Sequence, residues 1–226
     1  MYTPIIVPRN KKYGNNYWNS DGPKVNMREV ILYSDLEFEN WVLAETDPTI
    51  KTYCEQPIEI SFVVDGKLHS SIFDMWIKKT NGMEKFIEVK YDIELQPQHH
   101  NYNRNMRQIV AQQEWCKNNG FNHQVMTEKE IRAFPIGLEN RVKMLSCIKN
   151  SPKISAKDSI LVAVKEQPTT ISQIFKELNG KYSIREILET CYSLTYYGEI
   201  TANINDQIWS ANTEVWLNES YETDRK

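Results

Sequence analysis

SSIFDMWIKKTNGMEKFIEVK, residues 70–90, is the stretch of sequence that decides the fold. Apolar and polar residues alternate in residues 72–78 and again in residues 85–90, as they do in half-buried strands. A Thr-Asn-Gly turn lies between them, and Gly82 can adopt positive φ at little cost. The stretch therefore predicts a β-hairpin.

Two registers are open for this hairpin, and they place its charged residues differently. A two-residue Asn-Gly loop sets Asp74 opposite Val89 and points Asp74 and Glu88 to opposite faces. A three-residue loop that ends in a left-handed Gly82 sets Asp74 opposite Glu88. Because side chains alternate along a strand, Lys90 then joins Asp74 and Glu88 on one face.

The carboxylates of Asp74 and Glu88 would repel each other at cross-strand distance unless a positive charge lay between them. A divalent cation such as Mg²⁺, which prefers hard oxygen ligands, meets that need. A solvated face with one ion pair is the simpler interpretation of the same residues. The hairpin alone leaves both interpretations open.

Length and composition describe an ordinary globular chain of 226 residues, 25% charged and 40% hydrophobic, with a net charge of −3. This length allows one large domain or two small ones. No apolar run reaches the ~18 residues of a membrane span, and the N-terminus lacks the apolar segment of a signal peptide. The four cysteines are scattered and indicate the reduced thiols of a cytosolic protein.

The first thirty residues form a basic segment with interleaved aromatic residues. Two acidic residues stand there against Arg9, Lys11, Lys12, Lys24 and Arg28. A basic arm of this kind suits the phosphate backbone of a nucleic acid. A loosely ordered N-terminal tail explains the same composition.

The sequence that follows predicts a helix over residues 34–45. Ser34 is a good N-cap, and Glu37 falls three residues later, at the capping-box position. A carboxylate there also meets the positive end of the helix dipole. Glu37 is therefore a candidate metal ligand as well as a cap.

Beyond this helix the pattern predicts three antiparallel strands, a helix, a strand and a helix, which together make a mixed sheet with flanking helices. Residues 58–64 alternate and are followed by an Asp-Gly turn. Residues 98–119 predict a long polar helix, on which Arg104 and Arg107 either reach phosphates or stay solvated. Residues 121–127 predict the last strand.

The ordered motifs resemble the PD-(D/E)xK nuclease superfamily and, within it, the TnsA family of endonuclease subunits of heteromeric cut-and-paste transposases. The segments that carry this resemblance are SDLE at 34–37, EQP at 55–57, FD at 73–74, EVK at 88–90 and FNHQVMTEKEIR at 121–132. The likeness covers residues 26–132. It implies a restriction-endonuclease-like α/β fold.

The resemblance also implies a role for each motif residue. The implied ligands of one or two Mg²⁺ or Mn²⁺ ions are Glu37, Asp74, Glu88 and the carbonyl of Val89. Lys90 would orient or help deprotonate the attacking water and stabilise charge on the phosphorane. Gln56 would position the site from beside it. The side chains predicted to contact DNA are Lys11, Lys12, Lys24, Arg28, Gln56, Arg104 and Arg107.

The function implied by the resemblance is cleavage of the non-transferred strands at the 5′ ends of a transposon. A separate DDE transposase, TnsB, acts on the 3′ ends in that family, and an AAA+ regulator, TnsC, is a further partner. The implied location is the bacterial cytoplasm, with nucleoid association during action. A free-standing restriction-type nuclease and a non-catalytic adaptor remain as alternatives. The near-neutral net charge favours a partner-dependent enzyme, because the chain has little phosphate-neutralising capacity of its own.

The remainder of the chain predicts a small winged-helix domain. Its pattern is three helices followed by two short strands around an Asn-Asp turn. From Ser151 onward, eleven acidic residues stand against eight basic ones, which favours contact with a protein over contact with DNA. The resemblance implies TnsC as that protein. The predicted divisions are a basic arm at 1–30, a nuclease domain at 31–135, a linker at 136–153 and a winged-helix domain at 154–226. The stretch RVKMLSCIKN, residues 141–150, predicts a short helix within the linker.

Overall fold

The computed structural model describes residues 2–6, 16–150, 154–164 and 167–218. The predicted DNA contacts Lys11 and Lys12 lie outside these ranges. The chain divides into two compact units, Met1–Glu45 with Thr49–Ala133 and Thr46–Pro48 with Phe134–Lys226. Within the described ranges, no helix combines the length and the apolar character needed to cross a membrane.

The first unit is mixed α/β, as predicted. Its strands and helices in chain order are β1 Trp18–Gly22, β2 Arg28–Leu32, α1 Asp35–Thr46, β3 Ile50–Glu55, β4 Glu59–Val64, β5 Lys67–Ile72, β6 Met75–Lys79, β7 Glu84–Val89, α2 Tyr102–Asn118, β8 Asn122–Met126 and α3 Glu128–Ile131. Two short 3₁₀ turns, Pro23–Val25 and Asp92–Leu95, complete the described elements of this unit.

The central sheet of this unit has the strand order β3-β6-β7-β8. The pairs β3–β6 and β6–β7 are antiparallel, whereas β8 runs parallel to β7. A parallel neighbour requires a crossover connection, and α2 supplies it. The sheet is therefore mixed and flanked by helices, which is consistent with the restriction-endonuclease-like fold predicted from the sequence.

The predicted three-strand meander differs from the structure, because the strand predicted over residues 72–78 is broken at Phe73 and Asp74. The N–H of Phe73 donates to the carbonyl of Ile58 at 3.4 Å, and the carbonyl of Asp74 accepts from the N–H of Gln56 at 3.0 Å. These bonds tie the break to the loop after β3. As a result β4 and β5 pair in a separate two-stranded sheet, and β3, which the sequence pattern did not predict, pairs with β6.

The β6–β7 hairpin adopts the register with the three-residue loop. Met75 lies opposite Ile87, and Gly82 ends the loop at a φ of 87°. The same register places Asp74, which precedes Met75, level with Glu88, which follows Ile87. The interpretation that brings both carboxylates to one level of the hairpin is thus the one that the chain adopts.

An aromatic cluster in the core of this unit holds the hairpin in place. Phe73 and Phe86 are fully buried, with their ring centroids 4.7 Å apart. Trp115 from α2 packs edge-on against Phe86 at 5.3 Å. Tyr2, near the N-terminus, packs edge-on against Trp76 at 5.0 Å. The strand break, β6, β7 and α2 are therefore fixed by one set of rings.

The second unit contains the predicted helices and short strands. Its elements in chain order are α4 Pro135–Lys149, α5 Lys157–Ala163, β9 Thr169–Thr170, α6 Ile171–Glu177, α7 Ile184–Tyr196, β10 Ile200–Ala202 and β11 Glu214–Leu217. The predicted cap of α7 is confirmed, because Ser183 and Glu186 form a capping box. Residues 203–213 join β10 to β11, so the connection is longer than the tight Asn-Asp turn that was predicted. Assignment to the winged-helix class stays a prediction.

Helix α4 contains most of the short helix predicted over residues 141–150 and begins earlier, so it occupies most of the segment predicted as a linker, residues 136–153. Pro135 suits the first helical position, where its missing N–H costs nothing. Met144 is fully buried in the hydrophobic core of the second unit. Residues 135–149 are thus a packed helix of that unit.

Asn140 on α4 fastens the connection between β10 and β11. Its side chain is fully buried. The Nδ2 group donates to the carbonyls of Ile204 at 2.6 Å and Gln207 at 2.8 Å, and Oδ1 accepts from the N–H of Trp209 at 2.9 Å. This one amide satisfies three backbone groups of the irregular segment, which gives the segment a fixed path.

Candidate active site

Asp74 is held by backbone groups on both sides. Its Oδ2 accepts from the N–H of Val89 at 2.7 Å, across the hairpin. Its own carbonyl accepts from the N–H of Gln56. Among the described residues no donor reaches Oδ1 of Asp74, which leaves that oxygen available to a ligand.

Glu88 is a buried carboxylate, 1% exposed, surrounded by donors. Its Oε1 accepts from Nζ of Lys90 at 2.5 Å and from Nε2 of Gln108 at 2.6 Å. Its Oε2 accepts from Nε2 of Gln112 at 2.7 Å. Burial, and next the charge of Asp74, raise the pKa of Glu88 to about 7 in spite of these donors. The negative charges of Asp74 and Glu88 therefore repel each other, as expected of two carboxylates that share a cation.

Lys90 forms an ion pair with Glu88 at the mouth of this site. Burial by itself lowers the pKa of Lys90, but the negative charges of Glu88 and Asp74 outweigh it and leave the pKa above its ordinary value. Lys90 is thus an ammonium ion at neutral pH. In that state it can orient water and offset negative charge, but it cannot accept a proton.

Glu37 lies in the first turn of α1, where Ser34 caps the helix as predicted, and its side chain lines one of the cavities at the site. Its N–H donates to Oγ of Ser34 at 3.1 Å. Its carboxylate accepts from the N–H of Tyr33 at 3.1 Å and from Nε2 of Gln56 at 3.2 Å. Gln56 therefore bonds both to Glu37, through its side chain, and to Asp74, through its backbone.

Two adjoining cavities open at Asp74. One has a volume of about 450 Å³ and includes Glu37 and Val89 in its lining; the other, of about 310 Å³, includes Gln56 and Glu88. The residues that line both are Asp74, Lys90, Arg104 and Gln108. We call the two cavities together the groove. Asp74 and Lys90 lie where the cavities meet, with Glu37 in the first cavity and Glu88 in the second.

The donor set at this junction fits a hard divalent cation. Among the described residues no three His, Cys, Asp or Glu side chains form a group that could hold a metal ion. Mg²⁺ commonly takes only one or two protein carboxylates and fills its remaining positions with water and phosphate oxygens. Asp74 and Glu88 supply that number of carboxylates, and the metal-ligand roles of Glu37, Asp74, Glu88 and the Val89 carbonyl stay predictions.

The predicted DNA-contacting cations differ in their surroundings. Arg28 forms a bidentate pair with Glu55, at 2.6 and 2.7 Å. Nζ of Lys24 donates to the carbonyl of Ala44 at 3.2 Å. Arg107 lies 3.4 Å from Asp65 in an exposed pair. Arg104 lines both cavities without an ion-pair partner in the described part of the chain, so it is the best placed of these cations to meet a phosphate at the groove.

Three residues that contact the site escaped the sequence analysis. Gln108 and Gln112 bond to Glu88 from α2, and His123 on β8 bonds to Gln112. The available signal was the spacing of two glutamines four residues apart on a polar helix, which places them on one helix face. The sequence does not indicate which strand that face covers.

The mixed sheet with its flanking helices is consistent with a restriction-endonuclease-like fold, and Asp74, Glu88 and Lys90 lie together at one of its cavities. Residues 47–128 match the protein-family model described as "TnsA-like endonuclease N terminal". This match confirms the resemblance predicted from the sequence and supports a TnsA-family nuclease. The matched segment contains Asp74, Glu88 and Lys90 but begins after Glu37. No match was found among curated proteins.

Proposed function

We propose that this chain is the endonuclease subunit of a heteromeric transposase and cuts the non-transferred strands at the 5′ ends of the transposon. The observation that supports this most directly is the convergence of Asp74, Glu88 and Lys90 on one polar groove within the matched segment. A non-catalytic adaptor would not need this set. The chain would act on DNA in the bacterial cytoplasm, at the nucleoid.

The residues at the groove divide the work of phosphodiester hydrolysis. Asp74 and Glu88 would hold Mg²⁺ or Mn²⁺, and such an ion supplies Lewis-acid activation of phosphate and water when bound. The ammonium of Lys90 orients the attacking water and offsets charge that develops on the phosphate oxygens. Arg104, at the junction of both cavities, contacts a phosphate and fixes the register of the DNA strand.

The proposed partners are the transposase TnsB at the same DNA ends and the regulator TnsC at the second unit. The net charge of −3 supports dependence on partners, because affinity for DNA comes largely from phosphate neutralisation. The acidic balance of residues 151–226 supports a protein contact there.

The test is a nicking assay on supercoiled plasmid that carries a transposon end, with Mg²⁺, in the presence and absence of the proposed TnsB and TnsC partners. Strand-specific nicks at the 5′ ends that require both Mg²⁺ and the partners are the expected result. Efficient cleavage by this chain alone would instead establish a free-standing restriction-type nuclease. Cleavage that survives EDTA would refute the metal-dependent mechanism.

Cation binding is expected to weaken as the pH falls below about 7, by up to about tenfold per pH unit, and to level off above it. The raised pKa of Glu88 means that this carboxyl is protonated below that value, and a cation must displace the proton. Titration of Mn²⁺ by electron paramagnetic resonance from about pH 5.5 to about pH 8.5 measures the effect. A flat affinity across pH 7 would remove Glu88 from the ligand set.

A further inference from the structure

Gln112 is a fully buried glutamine that contacts the site from behind. Its Nε2 donates to Oε2 of Glu88 at 2.7 Å and to Oγ of Ser71 at 3.0 Å. It lines neither of the two cavities at Asp74, whereas Gln108, one turn earlier on α2, lines both. Gln112 therefore has no path to DNA or to a cation except through Glu88.

His123 fixes the orientation of the Gln112 amide. Its Nε2 lies 3.2 Å from Oε1 of Gln112. Burial lowers the pKa of His123 to about 4, so the imidazole is neutral at physiological pH. Because an amide oxygen can only accept, the contact with Oε1 of Gln112 requires the tautomer that carries its hydrogen on Nε2. With that oxygen occupied, the Nε2 group of Gln112 must point to the acceptor-only carboxylate of Glu88.

We propose that His123 and Gln112 are positioning residues for Glu88, forming a relay from β8 through α2 to β7 that aims the carboxylate at the cation. The inference rests on the proposed function, since it concerns the ligand set of that same site. Both relay members are uncharged, so they hold the carboxylate without neutralising it. The donor that fixes Oε2 comes from the side of Glu88 away from the groove.

Glu88 has two kinds of hydrogen-bond partner, which differ in whether they stay in place when a cation binds. Lys90 and Gln108 bond to Oε1 from the groove and can move aside or turn to the substrate when a cation arrives. Gln112 is held by Ser71, His123 and the packing of α2, so its bond to Oε2 persists. Hydrogen-bond partners behind a metal ligand typically account for about 10–100-fold in metal affinity or activity.

The test compares Gln112→Met with Gln113→Met in the full-length protein. Methionine nearly preserves the volume of glutamine and removes its polar groups, and Gln113 is the exposed neighbour of Gln112 on the same helix. Gln112→Met should weaken Mn²⁺ binding, measured by electron paramagnetic resonance, by about 10–100-fold. Gln113→Met should leave it within about twofold of the wild type.

A second pair of variants covers the case in which Gln112→Met does not fold. His123→Leu removes the donor to Oε1 of Gln112 and should weaken Mn²⁺ binding, whereas His123→Gln carries an amide donor and should recover most of the affinity. Thermal unfolding without metal is measured in parallel, because a purely structural role would lower the unfolding temperature and leave the Mn²⁺ affinity of the folded fraction unchanged.

The outcomes separate the relay from the proposed function. Wild-type Mn²⁺ affinity in folded Gln112→Met, or equal affinities in His123→Leu and His123→Gln, would overturn the relay even if wild-type protein binds metal and nicks transposon ends. A wild-type protein that neither binds Mn²⁺ nor supports nicking would overturn the proposed function, and the relay with it.

Discussion

Asp74→Asn should reduce nicking by the assembled complex on the order of a thousandfold, because a bound metal ion supplies several kcal/mol of transition-state stabilisation and each 1.36 kcal/mol is a factor of ten in rate. Asparagine is almost isosteric with aspartate, and its side-chain oxygen can still accept from the N–H of Val89. The hairpin should therefore fold normally while the site loses a charged ligand. The measurement is the rate of strand-specific nicking under saturating Mg²⁺.

The matched control is Asp65→Asn, which makes the same chemical change in the β4–β5 turn. The side chain of Asp65 is 78% exposed, and its ion pair with Arg107 contributes little stability. Asp65 also has a φ of 52°, which asparagine tolerates well. Nicking by this variant should match the wild type. If Asp74→Asn nicks as fast as Asp65→Asn, Asp74 has no part in the chemistry.

Asn140→Ala should destabilise the second unit by roughly 3–5 kcal/mol, since it removes the bonds to two buried backbone groups and one part-buried group and each such loss costs about 1–3 kcal/mol. The groups are the carbonyls of Ile204 and Gln207 and the N–H of Trp209. Thermal or denaturant unfolding followed by tryptophan fluorescence reports the change, because Trp209 lies at the disturbed segment.

Ser146→Ala on the exposed face of the same helix is the comparison, and its effect should stay within about 0.5 kcal/mol. An equal stability of the two variants would mean that α4 does not fasten the segment between β10 and β11. In the wild type, and in Ser146→Ala, the segment should resist proteolysis; in Asn140→Ala it should be cut first.

Local sequence patterns were enough to predict the parts of the site that depend on contacts between residues close together in the sequence. The Thr-Asn-Gly loop offered two registers, one of which brings Asp74 level with Glu88, and that register is the one found. Ser34 and Glu37 have the spacing of a capping box, and at the start of α1 Oγ of Ser34 accepts from the N–H of Glu37 and donates to its carboxylate. In each case the decisive contacts lie within a single hairpin or a single helical turn.

Features that depend on contacts between residues far apart in the sequence could not be predicted from the sequence. The pattern did not reveal that Phe73 and Asp74 break a strand, since the break depends on bonds to the loop after β3. It did not reveal that Gln112 is buried, because polar residues at helical spacing normally mark a solvated face. The sequence predicts only a short helix within a linker here, and the burial of Met144 shows that α4 belongs to the core of the second unit.

The strand break has a consequence for how this chain can vary in length. The base of the β4–β5 hairpin is tied by the bonds of Phe73 to Ile58 and of Asp74 to Gln56. Insertions or deletions beyond that tie change the length of the β4–β5 hairpin, while Asp74 keeps its position beside the central sheet. The hairpin can therefore vary in length without moving the candidate site.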